Sequence, residues 1–179
     1  KDNPFTFEFF LRIPERANDN QVILQKTGSI SNNFTIALSS STNTSKCDLI
    51  FGITSGTNHV TTTATISKNS SSFRHIAAYY NRNVDQKAYL YVDAIENVYT
   101  SSNSVLFGDI SFVGTDLTIG SGSTVRLNDS LFTPQETFSG SIDEFRYFKN
   151  ARSTKDIDKY RFKTLDETFS RDDLLLYCK

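Results

Sequence analysis

The chain has 179 residues, a formal net charge of -1 and 13% aromatic residues, with 15 Phe and 8 Tyr but no Trp. A chain of this length forms one domain and can bury roughly 70% of its unfolded surface. The near-zero charge gives no reason to expect nucleic acid or an anionic membrane as a partner, and no apolar run approaches the roughly 20 residues of a membrane span. We expect one domain over residues 1–179, and the start without Met indicates a fragment of a longer polypeptide.

Short β-rich segments bounded by Asn, Gly, Ser or Pro dominate the chain. In the first half they predict strands at residues 5–13, 22–26, 34–39, 47–54, 59–67, 74–80 and 88–93. Gly56 can supply the positive φ of a tight hairpin between two of them. Further strands are predicted at residues 105–112, 116–120, 141–148 and 173–178. The last of these is an apolar run, which predicts burial on both of its faces.

Residues 153–161 read as a helix, with Ser153 as N-cap and Asp156 three residues later. Ser/Thr/Asn-rich segments at residues 39–46, 69–72 and 101–104 are predicted as loops. Many short strands with one late helix exclude alternating βαβ folds and predict an all-β, two-sheet antiparallel sandwich. The predicted core consists mainly of Phe7, Phe9, Ile76, Leu90, Val92, Ile119, Ile142 and Phe145.

Several motifs occur in a characteristic order along the chain. After the opening FTFEFFLRIP come SFRHIAAYYN, KAYLYVDAIE, DLTIG and FSGSIDEFRYFKNARSTKDI. This combination resembles the concanavalin A-like jelly-roll modules of the laminin G type from about residue 5 to residue 160. The resemblance implies a jelly-roll β-sandwich with one short helix near the C-terminus.

The chain departs from that family pattern at several positions. Phe10 and Phe73 stand where the family usually has Trp, and Ala94 replaces the usual Gly after Asp93. The family's usual first strand, upstream of FTFEFF, is missing. Completion of the sheet then depends on residues 173–178 or on a segment outside this chain.

The adjacent carboxylates Asp143 and Glu144 raise the question of catalysis. Neighbouring side chains in a strand point to opposite faces, which predicts that these two do not act as a paired acid and base, and that Ile142, Glu144 and Arg146 share one face. The β-glucan-cleaving enzymes of the superfamily resemble one another in a Glu-x-Asp-x-x-Glu signature, and this chain lacks it. We therefore predict no catalytic residue and a structural role for both carboxylates.

The histidines and cysteines give no strong functional signal. His75 lies in a predicted strand without a nucleophile elbow and is interpreted as a histidine at the rim of the core, hydrogen-bonded to backbone. His59 lacks the flanking acidic ligands of a zinc site. Cys47 and Cys178 are interpreted as isolated thiols, with a disulfide between them as the alternative.

Two kinds of ligand-binding residue are candidates. We predict no cofactor, with calcium as the alternative, since modules of the family resembled here often hold one calcium ion at a loop edge. Its candidate ligands, in the loop-rich second half, are Asp109, Asp116 and Asp129. Without Trp, the candidate aromatic platforms for a sugar are Tyr79, Tyr80 and Tyr99.

Two functional interpretations stay open. The first is a noncatalytic, lectin-like recognition module that binds carbohydrate or another protein through its loops, in a secreted or surface-exposed protein of a cell, matrix or virion, with flanking modules. The second is a structural or assembly module whose exposed sheet edge pairs with a strand from another segment. A glycosidase is supported by fold analogy alone.

Overall fold

A computed structural model describes residues 4–39, 43, 45–93, 97–108, 115–163, 165 and 173–179. Its strands form two six-stranded sheets and a separate two-stranded hairpin. The two sheets pack face to face around one main apolar cluster. The predicted all-β, two-sheet sandwich is confirmed.

Sheet A contains both ends of the described chain. Its strands are β1 (Phe5–Ile13), β6 (Asn69–Asn81), β7 (Lys87–Val92), β8 (Asn97–Thr100), β13 (Ser141–Phe148) and β14 (Leu174–Cys178). Their order across the sheet is β14-β13-β1-β6-β7-β8. The chain's last strand therefore extends sheet A beside β13.

Sheet B is formed mainly by consecutive hairpins. Its strands are β2 (Gln21–Ser29), β3 (Asn32–Ser39), β4 (Lys46–Ser55), β5 (Asn58–Ser67), β9 (Leu117–Ile119) and β12 (Glu136–Thr137). Strands β2 to β5 follow in sequence order, while β9 and β12 both pair with β2, β12 in parallel. The separate hairpin consists of β10 (Val125–Leu127) and β11 (Ser130–Phe132).

Most predicted strands are confirmed because their period-two patterns match the burial that the sandwich imposes. Gly56 has a φ of +64° in the turn between β4 and β5, as expected. Two local predictions are wrong. Residues 69–72 belong to β6 and not to a loop, and residues 105–108 are irregular. Residues 109–112 of that predicted strand, like Ala94, lie outside the described part of the chain.

The final strand forms where predicted, but its predicted burial is wrong. Leu175 and Leu176 of β14 are 54% and 38% exposed. The strand pairs with β13 at the edge of sheet A, and β13 is its one neighbour in the described sheet order. The sequence pattern of this edge strand, an apolar run, is thus the same as that of a buried central strand.

The main core confirms six of the eight predicted side chains, namely Phe7, Phe9, Ile76, Leu90, Val92 and Phe145. Ile142 is partly buried against this cluster. Ile119, in contrast, is 44% exposed, so its prediction is wrong. It ends the three-residue strand β9, which lies beside β2 and off the main path of sheet B.

The predicted helix is confirmed as α1 (Thr154–Tyr160). The Ser153 hydroxyl accepts a hydrogen bond from the Asp156 backbone N–H at 3.1 Å, as an N-cap residue should. Ile157 is fully buried and packs with Tyr79 and Tyr91 on the face of sheet A that points away from the main core. The helix therefore covers that outer face. Among the described residues, no helix is long and apolar enough to cross a membrane.

Both cysteines are free thiols, as favoured from the sequence. Cys47 is buried in β4 within the main core, whereas Cys178 is exposed in β14. Burial raises the pKa of the Cys47 thiol to about 11. The two thiols differ strongly in access to solvent.

Candidate functional site

The outer face of sheet B is partly covered by the β10–β11 hairpin. Val125, Leu127 and Phe132 of the hairpin pack against Val22 and Ala37, with Ile50 at the border. This cluster is separate from the main core because alternate side chains of β2, β3 and β4 point away from it. The hairpin is thus held on the sheet by its own small apolar contact.

Buried polar side chains of sheet B fix the hairpin's position. The Arg126 carbonyl accepts a hydrogen bond from the Thr54 hydroxyl at 2.8 Å and from the Asn33 amide at 3.4 Å. Gln25 binds the preceding loop, because its Oε1 accepts from the Ser123 N–H at 2.8 Å and its Nε2 donates to the Ser123 carbonyl at 3.1 Å. These contacts specify one orientation of the hairpin on the sheet.

A shallow depression remains between the hairpin and the β4–β5 strands, with a volume of about 160 Å³. We call it the threonine groove. Outward-facing residues of the two strands form its floor, and the hairpin forms its wall. The lining residues, all uncharged, are Ile50, Thr61, Thr63, Leu127, Asn128, Ser130, Leu131 and Phe132.

One buried polar atom of the groove lining, Thr61 Oγ1, has no hydrogen-bond partner among the described residues. Gly52 lies opposite Thr61 in the β4–β5 register. A Cβ at Gly52 would lie 2.7 Å from Leu127 Cδ2 and 3.2 Å from Thr61 Oγ1. Glycine therefore allows the hairpin to lie this close to the sheet.

The threonine groove was not predicted from the sequence, although a signal exists. In HVTTTATIS the residues Thr61, Thr63 and Thr65 alternate with more buried ones, Val60, Thr62, Ala64 and Ile66, so they must share the outer face. Thr65 donates to the Asp48 carboxylate at 2.7 Å and extends this row of hydroxyls. The hairpin that forms the wall is separated from them by about sixty residues, and nothing in the sequence places it there.

The outer face of sheet A carries a buried ionic cluster instead. Glu8 is fully buried, and its carboxylate lies 2.9 Å from Arg152 Nε and 3.7 Å from Arg146 Nη1. Arg146 also donates to the carbonyls of Tyr160 and Lys163, at 2.9 and 2.6 Å. The cluster therefore ties helix α1 and the turn after it to the sheet.

Burial decides the protonation of two groups on this face. It raises the pKa of Glu8 to about 7, although Arg152 and Arg146 act in the opposite direction. It lowers the pKa of His75 to about 3, helped by the positive charges of Arg146, Arg161 and Arg152. His75 is buried on this outer face and not at the rim of the main core, and its predicted hydrogen bond is wrong, since neither ring nitrogen has a partner among the described residues.

The face assignment around Asp143 and Glu144 is wrong because β13 contains a bulge. Asp143 pairs with Phe10 and Arg146 pairs with Glu8, so two residues of β13 oppose Phe9 alone. Glu144 has a φ of +52° at this point. Since residues paired across strands share a face, Asp143 lies on the outer face with Arg146.

The contacts of the two carboxylates nevertheless agree with a structural role. Asp143 Oδ1 accepts the Glu144 backbone N–H at 2.9 Å and so closes the bulge. Glu144 Oε2 lies 3.2 Å from Arg146 Nη2 and also accepts the Tyr177 hydroxyl. The expected pair between Glu144 and Arg146 is confirmed, and Ile142 packs toward the core instead of sharing their face.

Sequence comparison matches residues 1–158 to a laminin G-like family described as the concanavalin A-like lectin/glucanases superfamily. The chain belongs to this superfamily. A search of curated proteins found no match. The resemblance inferred from the motifs is thereby confirmed, and the match covers sheet B, every strand of sheet A except β14, and most of helix α1.

Among solved structures, the chain is similar to a Bacteroides ovatus protein described as a "putative carbohydrate binding protein". The TM-score is 0.65 and the sequence identity 17%, over 99% of this chain and 45% of that one. At this identity the similarity supports the superfamily fold. The chain spans less than half the length of that relative.

The tyrosines proposed as sugar platforms do not come together in this superfamily member. Tyr79 is buried on the outer face of sheet A, stacked 4.7 Å from Tyr89 and 5.6 Å from Tyr91. Tyr80 is buried in the main core, where its hydroxyl donates to the Val105 carbonyl. Tyr99 is half-buried against that core. The three candidates thus occupy three different environments.

The calcium candidates are also dispersed. Asp116 is exposed just before β9, and Asp129 is exposed in the turn of the β10–β11 hairpin. Asp109 lies outside the described residues. In the part of the chain that the structure describes, no three His, Cys, Asp or Glu side chains gather closely enough to hold a metal ion.

Proposed function

We propose that this chain is a noncatalytic recognition module that binds carbohydrate in the threonine groove. The observation that carries the proposal is an uncharged depression whose floor presents Thr61 Oγ1 without a partner. Sugar sites combine apolar contact with a few fixed polar groups, and this lining has both. The description of the Bacteroides ovatus relative as a carbohydrate binding protein supports the same class of ligand.

The noncatalytic part of the proposal rests on the surroundings of the carboxylates. Glu144 is engaged by Arg146 and Tyr177, and Asp143 by the bulge backbone. Retaining glycosidases need two carboxyl groups about 5 to 5.5 Å apart on either side of a substrate bond. Within the described part of the chain, no Asp or Glu lines the threonine groove. The proposal therefore assigns binding without turnover to this surface.

We further propose that the module works at the surface of a cell, matrix or virion, or in a secreted protein, beside flanking modules. The relative that it matches is more than twice as long as the matched region. A calcium requirement is tested directly by measuring sugar binding in calcium and in chelator. If binding depends on calcium, Asp116→Asn and Asp129→Asn would test whether either of these candidate residues holds the ion.

The experiment is a glycan array followed by calorimetry on the best ligand. We expect specific binding that Thr61→Val weakens at least about tenfold, because the valine keeps the shape but removes the hydroxyl. Thr100→Val is the matched control, since Thr100 is an exposed strand threonine on sheet A. Because we propose binding without turnover, incubation of the protein with the ligand over days should yield no hydrolysis products.

Two results would contradict the proposal. One is an array without specific binding across diverse glycans, in calcium and in chelator alike. The other is specific binding that Thr61→Val and Thr100→Val leave equally unchanged, which would move the site away from the threonine groove.

A second candidate, an assembly module, is favoured by the edge of sheet A. Strand β14 presents Leu175 and Leu176, 54% and 38% exposed, beside an edge of backbone groups. Such an edge can pair with a strand of another chain or segment. Analytical ultracentrifugation tests this candidate, because Leu176→Lys should dissociate any oligomer that forms through β14. A monomer at all concentrations would leave this candidate without support.

A further inference from the structure

Two strips of different chemistry form part of the lining of the threonine groove, and Asn128, Ser130 and Phe132 of the hairpin complete it. Ile50, Leu127 and Leu131 present aliphatic carbon on one side. Thr61 and Thr63 present hydroxyl groups from the neighbouring strand β5 on the other. Leu131 is 58% exposed, so a large apolar side chain stands at the rim where a ligand would enter. A ligand that fits both strips must itself be amphipathic.

The size of the groove limits the ligand to one small group at a time. Its volume of about 160 Å³ falls below the roughly 300 to 1,000 Å³ of pockets for drug-sized molecules. It is close to the roughly 150 Å³ of an engineered apolar cavity that holds one benzene ring. One sugar residue, or a substituent of one, is therefore the largest unit that this depression can enclose.

The charge of the groove further narrows the ligand class. All lining residues are uncharged, and Asp48, the carboxylate on the adjacent strand position, already accepts the Thr65 hydroxyl. A carboxylate or phosphate on the ligand would lose water without gaining a cationic partner in the groove. Acidic sugars and phosphorylated groups therefore fit poorly, and a neutral ligand is favoured.

Resting on the proposed function, we infer that the threonine groove selects neutral sugars that carry a methyl group, either in an N-acetyl substituent or at a 6-deoxy carbon. The methyl group contacts the Ile50, Leu127 and Leu131 side chains. The neighbouring hydroxyl or amide of the sugar pairs with Thr61 Oγ1, which otherwise stays buried without a partner. An unsubstituted hexose presents hydroxyls to the aliphatic strip and binds less tightly.

Calorimetry or ligand-observed NMR with matched sugar pairs tests this inference. The pairs are N-acetyl-D-glucosamine against D-glucose, and D-fucose against D-galactose, which separate the acetyl source of the methyl from the deoxy source. We expect about a tenfold or greater preference for the methyl-bearing member of at least one pair, the effect of one methyl group in an apolar site. Preference within one pair alone identifies which substituent the groove takes.

Variants of single residues test whether the preference for the methyl-bearing sugar arises in the threonine groove. Leu131→Ser should reduce it to about twofold or less, whereas Leu175→Ser, a change at a leucine of similar exposure on β14, should leave it intact. Thr61→Val should weaken both members of a pair.

The outcomes separate the inference from the proposed function. Equal binding of both members in each pair, or a preference that survives Leu131→Ser, overturns the inference while sugar binding stands. No binding of any sugar, on the array or by calorimetry, overturns both.

Discussion

The two outer faces of the sandwich are covered in contrasting ways. On sheet A, helix α1 lies over the charged side chains Glu8, Arg146 and Arg152, all of them almost completely buried. On sheet B, the β10–β11 hairpin lies over a small apolar cluster, and its polar anchors contact its backbone. One cover uses desolvated ion pairs, and the other uses apolar packing.

The difference has a consequence for ligand access. A buried ion pair loses much of its stabilisation if either partner is displaced, so the cover of sheet A must stay closed to be stable. Apolar packing does not depend on the exact direction of a contact in this way. The hairpin covers only part of sheet B and leaves the threonine groove at its border. We therefore expect sheet A to serve stability and sheet B to serve recognition.

Removing a charge from the sheet A cluster should have the largest effect. Arg146→Ala removes a partner of Glu8 and the hydrogen bonds to the Tyr160 and Lys163 carbonyls. Above pH 7, where Glu8 is ionised, the free energy of unfolding should fall by about 3 to 5 kcal/mol. Urea denaturation measures this change. Lys149→Ala is the control, since Lys149 and Asp173 form an exposed pair at 4.0 Å whose loss should cost less than about 1 kcal/mol. Equal losses in the two variants would remove the contrast between the faces.

A change beneath the hairpin should have a smaller effect on stability and a direct effect on binding. In Gly52→Ala the new methyl meets Leu127 Cδ2, so we expect a loss of about 1 to 3 kcal/mol from overpacking and weaker sugar binding. Gly108→Ala, where a Cβ meets nothing within 4 Å, is the control for both measurements. Unchanged affinity in a folded Gly52→Ala protein would show that the hairpin does not shape the site.

Acid should act on the sheet A face through His75. Its pKa is lowered to about 3 from the ordinary 6.5, so its contribution to stability is complete above pH 6.5 and is lost as the pH falls toward 3. The slope is at most about 1.4 kcal/mol per pH unit. The stability of His75→Leu relative to the parent should therefore rise as the pH falls through this window, as measured by urea denaturation at several pH values.

Glu8 works in the opposite direction. Because its pKa is raised to about 7 from 4.5, its stabilising protonation is complete below pH 4.5 and is lost as the pH rises through 7. The two slopes oppose each other between about pH 4.5 and 6.5. A parent protein and a His75→Leu variant with parallel stability profiles below pH 4.5 would contradict the assignment to His75.

The smallest effect is expected at Asp143. This side chain is exposed and its described contact is one hydrogen bond to the Glu144 N–H, so Asp143→Ala should lower the free energy of unfolding by less than about 1 kcal/mol. Thermal melting measures the stability of the variant, and a sugar-cleavage assay of parent and variant measures any catalytic activity. A parent that cleaves a glycan, together with a fully folded Asp143→Ala protein that does not, would refute the structural role.

The strands and the helix were predictable because each is specified by local pattern. Alternation in FTFEFFLRI follows from one apolar face that meets the main core through Phe7 and Phe9, and Ser153 caps the helix by accepting the Asp156 N–H three residues later. The bulge at Glu144 was not predictable. One residue with positive φ reverses which side chains of β13 face the core, and Glu, unlike Gly, is not typical of positions with positive φ. The exposure of β14 depends on its place at the sheet edge, which its sequence does not encode.

The candidate site was less predictable than the fold because it forms between distant segments. The β10 and β11 strands have three residues each, too few for a periodic pattern. Their contact with β4 and β5 joins parts of the chain more than sixty residues apart. Tyr79 and Tyr80 were proposed from the sequence because sugar sites often contain aromatic residues. In the structure both side chains are buried in apolar clusters.

The unequal burial of the two thiols makes the chain its own reporter of unfolding. Cys178 should react with a thiol reagent as soon as the reagent is mixed, while Cys47, with its pKa raised to about 11 and its side chain inside β4, should react when the sandwich opens. The ratio of the two labelling rates in one sample would then time the opening of sheet B against an internal standard on sheet A. A tether at Cys178 would also leave the threonine groove, on the opposite sheet, facing solution.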